Sequence, residues 1–287
     1  MPAEQIAQNL AYINWTVLTG AAVGSLWAAA LGRLRTQATK GYLGFVALSA
    51  AVLAALAALS DGALPVLGAA GLGSTGPIAP ADPAWGPIRT AALWALAALA
   101  LAYGLVILRG GGGRPLAVAG SIVGVGVLIA GALSWSAGSA ASTTAVLLLV
   151  QLAILAAATG GAWAAMILGH WYLVTPKLPE APLVRFAQTL LAVVAVQLVL
   201  FGLWQLVGAG PAGEPGFAAL AGSWALFVWL RLIVGLAMPL VVTWAAVQTA
   251  RTRSMESATG LLYIDVGLIA AGTILAAGLY FGAGLLV

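Results

Sequence analysis

Two ionisable side chains interrupt long apolar runs: Arg231 in Val228-Trp-Leu-Arg-Leu-Ile and Asp265 in Leu261-Leu-Tyr-Ile-Asp-Val-Gly. A charge in hydrocarbon costs about 2.5–3.5 kcal/mol on insertion scales, so such residues mark ion, proton or substrate sites by default. In that reading Arg231 binds an anion and Asp265 exchanges protons; an Arg–Asp pair that only ties two helices together is the plainer alternative. At about 1.5 Å per residue, Arg231 lies about 17 Å in from Leu220, and Asp265 about 12 Å in from the opposite edge near residue 257. Across a core of about 30 Å the two would then be level. Anchoring the arginine's run at Gln248 instead sets Arg231 about 25 Å from that edge and separates them. Gln197 and Gln205, on the preceding run, either line the same polar site or act as interhelical glue worth about 0.6–2 kcal/mol. Pro239 is expected to kink the Arg231 helix and to free carbonyls beside the path.

A second string with chemical potential is Gly169-His-Trp-Tyr-Leu-Val-Thr-Pro176, which contains the only histidine of the chain. Trp171 and Tyr172 suit an aromatic belt, with His170 hydrogen-bonding at headgroup level. Alternatively His170 donates to a quinone carbonyl while Trp171 and Tyr172 bracket the ring. It could also ligate one haem axially. Met166, one turn earlier, would share the face of His170, leaving the sixth position to water, a partner or Met238.

Much other chemistry is excluded. With no cysteine there is no disulfide, thiolate nucleophile, iron–sulfur cluster or Cys-ligated zinc site, and one histidine rules out a bis-His haem within the chain. Arg109-Gly-Gly-Gly-Gly-Arg-Pro115 lacks the Gly-Lys-Ser/Thr of a phosphate-binding loop, and Asp265 has no second intramembrane acid to form a protease dyad. Too few general acids and bases remain for a stand-alone enzyme, and no metal site is expected.

The elements that must position these groups are helices. Of 287 residues, 63% are apolar, against 11 Lys/Arg and 7 Asp/Glu, far from the composition of a soluble domain. Eight runs reach the length of roughly 20 residues that a crossing needs: 11–32, 41–60, 89–108, 116–136, 145–169, 184–208, 220–248 and 259–285. They are continuous and rich in Ala and Leu, without the alternation of a membrane barrel. The first run carries no basic leader and reads as a retained helix. The predicted fold class is all-α, a polytopic membrane helix bundle of about eight transmembrane helices.

Connections alternate in charge. One face receives Arg33, Arg35, Lys40, Arg109, Arg114, Lys177, Arg185, Arg251 and Arg253; the other receives Arg89 with Glu4, Asp61, Asp82 and Glu214. By the positive-inside rule the basic face is cytoplasmic and both termini lie outside, in a bacterial-type inner membrane. The basic residues thus serve orientation, and no nucleic-acid partner is implied. In the long outer loop, 61–88, residues 63–73 are expected at the interface with Trp85 as anchor; a plain lid-like loop is the alternative.

Weak echoes suggest a duplication into two parallel four-helix repeats, 1–142 and 143–287. Gly24–Gly32 matches Gly161–Gly169 and Gly120–Ala130 matches Gly260–Ala270. Gly20-xxx-Gly24, Gly120-xxx-Gly124 and Gly278-xxx-Gly282 should let helices approach closely, within the bundle more than between copies. In architecture alone, two four-helix units in one chain resemble the quinone-interacting membrane anchors of respiratory complexes; no motif aligns and no residue is carried over.

Two functional expectations follow. The first is a small-solute or ion transporter, proton-coupled through Asp265, with its polar site between the seventh and eighth helices. The second is a non-catalytic membrane subunit of a respiratory or other energy-transducing redox complex, with quinone or a tetrapyrrole near His170. The bilayer is the certain partner; other membrane proteins or a second copy remain open.

Overall fold

An Ala/Leu-rich run in lipid has to satisfy its own backbone, and the helix does so residue by residue. In the computed structural model, residues 1–64, 82, 84–136, 141–175 and 178–287 are described. Among them are eight helices long and apolar enough to cross a bilayer, and no strand. These are α1 (Leu10–Arg35), α2 (Lys40–Gly62), α3 (Trp85–Leu108), α4 (Arg114–Ser134), α5 (Ala141–Val174), α6 (Ala181–Val207), α7 (Ala225–Arg251) and α8 (Met255–Ala283). The chain is a multi-pass helical membrane protein. A short helix, Pro2–Gln8, precedes α1.

Local chemistry sets several ends. Thr39 Oγ1 accepts from the Tyr42 amide at the start of α2, while Pro115 and Pro182 occupy first turns where an amide proton has no helical partner. Three expected boundaries move, with consequences for the site. α3 begins at Trp85 rather than 89, which puts Arg89 in the second turn of the helix instead of at its first residue. α5 runs on to Val174, so His170, Trp171 and Tyr172 are helical. α7 begins at Ala225 rather than 220. Residues 65–81 and 83, with their four prolines, lie outside the described residues, and so does most of the expected interfacial stretch 63–73.

α1 is the most buried span and α7 the least. α1 packs on α2, α4, α5 and α8, with Trp15, Val23, Leu26 and Ala29 fully enclosed. Its contact with α5 is the most extensive between the two halves of the chain, and its closeness has a definite cause. A Cβ on Gly24 would stand 1.8 Å from the carbonyl oxygen of Ala156, and one on Gly160 would stand 2.1 Å from the amide nitrogen of Ser25. Backbone meets backbone there, so dispersion supplies the attraction that hydrophobicity cannot supply within lipid. Gly120 and Gly124 likewise receive Leu26 and Val23 of α1, and Gly282 receives Trp224, so all three glycine pairs pack within the chain.

The helix contacts follow a pattern. Within each half consecutive helices touch and the first also meets the fourth; α1 meets α8 just as α5 meets α4. Apart from two thin contacts, α2 with α5 and α1 with α3, this scheme maps onto itself when every helix number is advanced by four.

At the end of the bundle carrying the α1–α2, α3–α4, α5–α6 and α7–α8 connections, basic side chains clamp the turns. Arg33 Nε donates to Gly112 O at 2.7 Å and Lys40 Nζ to Gly110 O at 2.6 Å. Arg185 donates to the carbonyl of Arg35, and Arg253 pairs with Glu180 at 3.2 Å. Lys177 lies outside the described residues.

Candidate functional site

Arg231 sits in the second turn of α7, 2% exposed. Two residues later the helix widens into a π-turn, Ile233–Ala237, followed by Pro239. Proline lacks the amide proton that would bond the carbonyl four residues back, which here belongs to Gly235. The expected kink takes the form of this widened turn. The freed Gly235 carbonyl accepts from Arg231 Nη1 at 3.2 Å, and Nη2 donates to Gln197 Oε1 on α6 at 2.9 Å. Room for the guanidinium comes from Gly235 and Gly272, where an added Cβ would fall 3.1 and 2.8 Å from Nη1. Gln197 in turn donates to Ile154 O on α5 at 3.0 Å, linking α5, α6 and α7. Only Nε has no hydrogen-bond partner among the described residues.

Asp265 is fully buried on α8 and faces α7, where Thr243 Oγ1 lies 2.6 Å from its Oδ2. That hydroxyl also lies 2.7 Å from the carbonyl of Pro239. The one Thr243 hydroxyl is thus shared between the Asp265 carboxyl and the Pro239 carbonyl, tying α8 to the α7 backbone beside the proline. Oδ1 has no partner among the described residues. No ion pair joins Asp265 to Arg231 among those residues. Gly272, beside the guanidinium, is seven residues beyond Asp265, about 10 Å along the helix. With α7 starting at Ala225, Arg231 is about 9 Å in from one end of the bundle, while Asp265 is about 15 Å in from the other end, counted from Met255. Gln205 serves elsewhere, donating to Leu286 O at 3.2 Å, and Gln151 Oε1 accepts from the Val287 amide at 3.1 Å.

The histidine string divides. Tyr172 turns into the core and donates to Pro179 O, so it neither joins a belt nor brackets the imidazole. Trp171 lays its indole against Gly41 of α2. His170 is exposed, with Nδ1 3.2 Å from the hydroxyl of Tyr263 on α8 and the two rings nearly perpendicular at 6.5 Å. Tyr263 was not among the expected site residues; it lies 93 positions away, and only the packing of α5 on α8 brings it to His170. Met238 faces outward on α7 and Met166 is buried in α5.

Beyond this pair, a lipid-side crevice of about 440 Å³ crosses α5 between α2 and α8. Thr159 and Trp163 form its floor, Ser49, Val52 and Leu53 one wall, and Val266 and Ala270 the other. Trp163 Nε1 donates to Ser49 Oγ at 3.2 Å, fixing the indole across the floor. Helical register aligns the two features. His170 is two turns beyond Trp163 on α5, and Tyr263, Val266 and Ala270 fall on one face of α8. The polar pair thus stands about 10 Å from the apolar crevice, measured along α5.

A third buried cluster was not expected from the sequence. Arg89 is 6% exposed and pairs with Asp61 of α2, whose other oxygen accepts from Thr90. Nη1 donates to Ser134 Oγ at 2.6 Å, and the guanidinium lies over Trp135 at 4.8 Å and Trp15 at 5.7 Å. Paired, hydrogen-bonded and stacked, this charge is a structural tie among α1, α2, α3 and α4. The available hint was an acid and an arginine flanking the long loop.

No protein-family model matches the chain, and a search of curated proteins finds no match.

Proposed function

We propose that this multi-pass membrane protein is a non-catalytic membrane subunit of an energy-transducing redox assembly that holds a lipid-soluble, quinone-type molecule in the groove between α5 and α8. The observation carrying this reading is the His170–Tyr263 pair at the polar end of a lipid-open apolar crevice. An imidazole N–H and a phenol O–H are donors suited to a ring carbonyl, and the trough over Trp163 suits an isoprenoid tail. A photoreactive quinone analogue should label peptides of α5 and α8 saturably in the purified protein. Replacing His170 with Leu and Tyr263 with Phe together should weaken labelling roughly tenfold, the value of two hydrogen bonds of about 0.5–1.5 kcal/mol each. Labelling that is unsaturable, or indifferent to both changes, would discard the site.

A second reading, a proton-coupled carrier of a small solute or ion, is supported by the buried Asp265–Thr243–Pro239 chain, with Arg231 of α7 and Gln197 of α6 nearer the opposite end of the bundle. Asp265→Asn should remove a carboxylic C=O band from the infrared difference spectrum and stop proton movement into vesicles loaded with a pH-sensitive dye. Flux that persists in this variant ends the carrier reading.

Either reading adopts the orientation given by the positive-inside rule, with the arginine-bearing end in the cytoplasm of a bacterial-type inner membrane and both termini outside. The contact scheme that repeats every four helices supports a duplication into residues 1–142 and 143–287. So does the placement of Arg89 and Arg231, each early in the third helix of its half and bonded to the second.

A further inference from the structure

A second groove lies on the other flank of α5, between α1 and α6. At the arginine-bearing end it opens into a notch of about 320 Å³, lined by Arg35, Thr36 and Gln37 from the end of α1 and by Pro182 and Arg185 from the start of α6. Among the described residues no acidic side chain lines it. Glu180, the acid nearest in sequence, is engaged by Arg253. Arg185 is held in place because it donates to the Arg35 carbonyl, so two basic residues border one notch.

Helical register places an apolar cleft one turn below the notch. Leu31 is one turn from Arg35 and Thr189 one turn from Arg185, and both line an apolar cleft of about 100 Å³ that runs past Trp27 to Gly24. Ala157 and Gly161 of α5 form its floor. A Cβ on Gly161 would meet nothing nearer than 3.7 Å, so the shallow floor is open rather than filled by a neighbouring helix. From Arg35 to Gly24 the groove descends about 16 Å, half of a core of about 30 Å. A charged head, an apolar channel and a depth of one leaflet together describe the shape of a phospholipid.

We propose that this groove binds an anionic phospholipid of the arginine-side leaflet, its phosphate between Arg35 and Arg185 and an acyl chain against Gly161 and Thr189. Charge complementarity selects the headgroup, and the half-bilayer depth selects a lipid over a soluble anion. The bound lipid joins α1 of the first half to α6 of the second. This site is separate from the His170–Tyr263 groove, and its success or failure leaves that reading untouched.

The test uses the full-length protein in mixed vesicles of phosphatidylglycerol and phosphatidylcholine, with retained lipid read by native mass spectrometry after mild detergent extraction. The wild-type chain should retain phosphatidylglycerol preferentially. Changing Arg35 and Arg185 both to Gln should cut that preference about 25-fold, taking about fivefold for each basic residue facing anionic lipid. Arg185→Lys, which keeps the charge, should retain most of it. Thr189→Trp, which fills the apolar cleft but leaves the notch, should also release the lipid. Helix content and monodispersity must match the wild type in every variant. Equal retention of the two lipids, or a preference that survives loss of both arginines, overturns the proposal. A preference that survives Thr189→Trp and is displaced by millimolar inorganic phosphate also overturns it, in favour of a free-anion site.

Discussion

Replacing Gly160 with alanine should be among the most damaging one-methyl changes available in this protein. The new Cβ would stand 2.1 Å from Ser25 N, 2.3 Å from Gly24 C and 2.5 Å from Gly24 Cα. All three are backbone atoms of α1, with no rotamer to swing aside. Reaching the 3.4 Å of ordinary contact requires α1 and α5 to part by 3.4 − 2.1 = 1.3 Å. A gap of about 0.5–1 Å already forfeits a quarter to a half of each dispersion contact, and the α1–α5 seam is the most extensive contact between the halves. Overpacking costs about 1–3 kcal/mol where side chains can adjust, so here the expected loss is at or above about 3 kcal/mol, a factor of more than 100 in the unfolding equilibrium. Gly161→Ala, one residue along, is the internal control. Its Cβ would meet only Leu190 Cδ1 at 3.7 Å, and it should be neutral or stabilising by up to about 1 kcal/mol. Reversible unfolding in mixed micelles with a denaturing detergent measures both. If the two variants fall within about 0.5 kcal/mol of each other, close backbone approach is not what holds the halves together.

Three further outcomes are expected. Arg231→Met should cost about 1–3 kcal/mol by orphaning the Gly235 carbonyl and the Gln197 amide oxygen; in a double-mutant cycle Pro239→Ala, which restores an amide proton to Gly235, should recover about 1 kcal/mol of that loss, and strict additivity would refute the link. Asp61→Asn should destabilise by about 3–5 kcal/mol, because Arg89 would remain buried between Trp15 and Trp135 without its counter-charge; unfolding unchanged within error would show the pair to be dispensable. Since the chain has no cysteine, single cysteines at Gly110 and Ala63 report orientation without background. A membrane-impermeant thiol reagent on intact cells should label the Ala63 variant and spare the Gly110 variant, and the reverse pattern would invert the topology.

What the sequence determined by itself was everything local to one run of chain. Eight crossings are legible because length and hydropathy are properties of consecutive residues. The gathering of the basic connections at one end of the bundle was also readable, although their second task, clamping turns through Arg33, Lys40 and Arg185, was not. The glycine pairs could be recognised as packing surfaces, because small residues four apart share a helix face whatever they meet. The partners were beyond reach. His170 with Tyr263, Arg89 with Asp61 and Arg231 with Gln197 each join different helices, and their meeting depends on how each helix is rotated and where it starts. The shift of the α7 start from 220 to 225 alone moves Arg231 by about 7 Å in depth. That shift contributes to setting Arg231 and Asp265 apart, each with its own hydrogen-bond partner instead of the other. Tertiary packing alone decided which polar groups share a pocket, because in lipid a helix face carries no period strong enough to announce its neighbour.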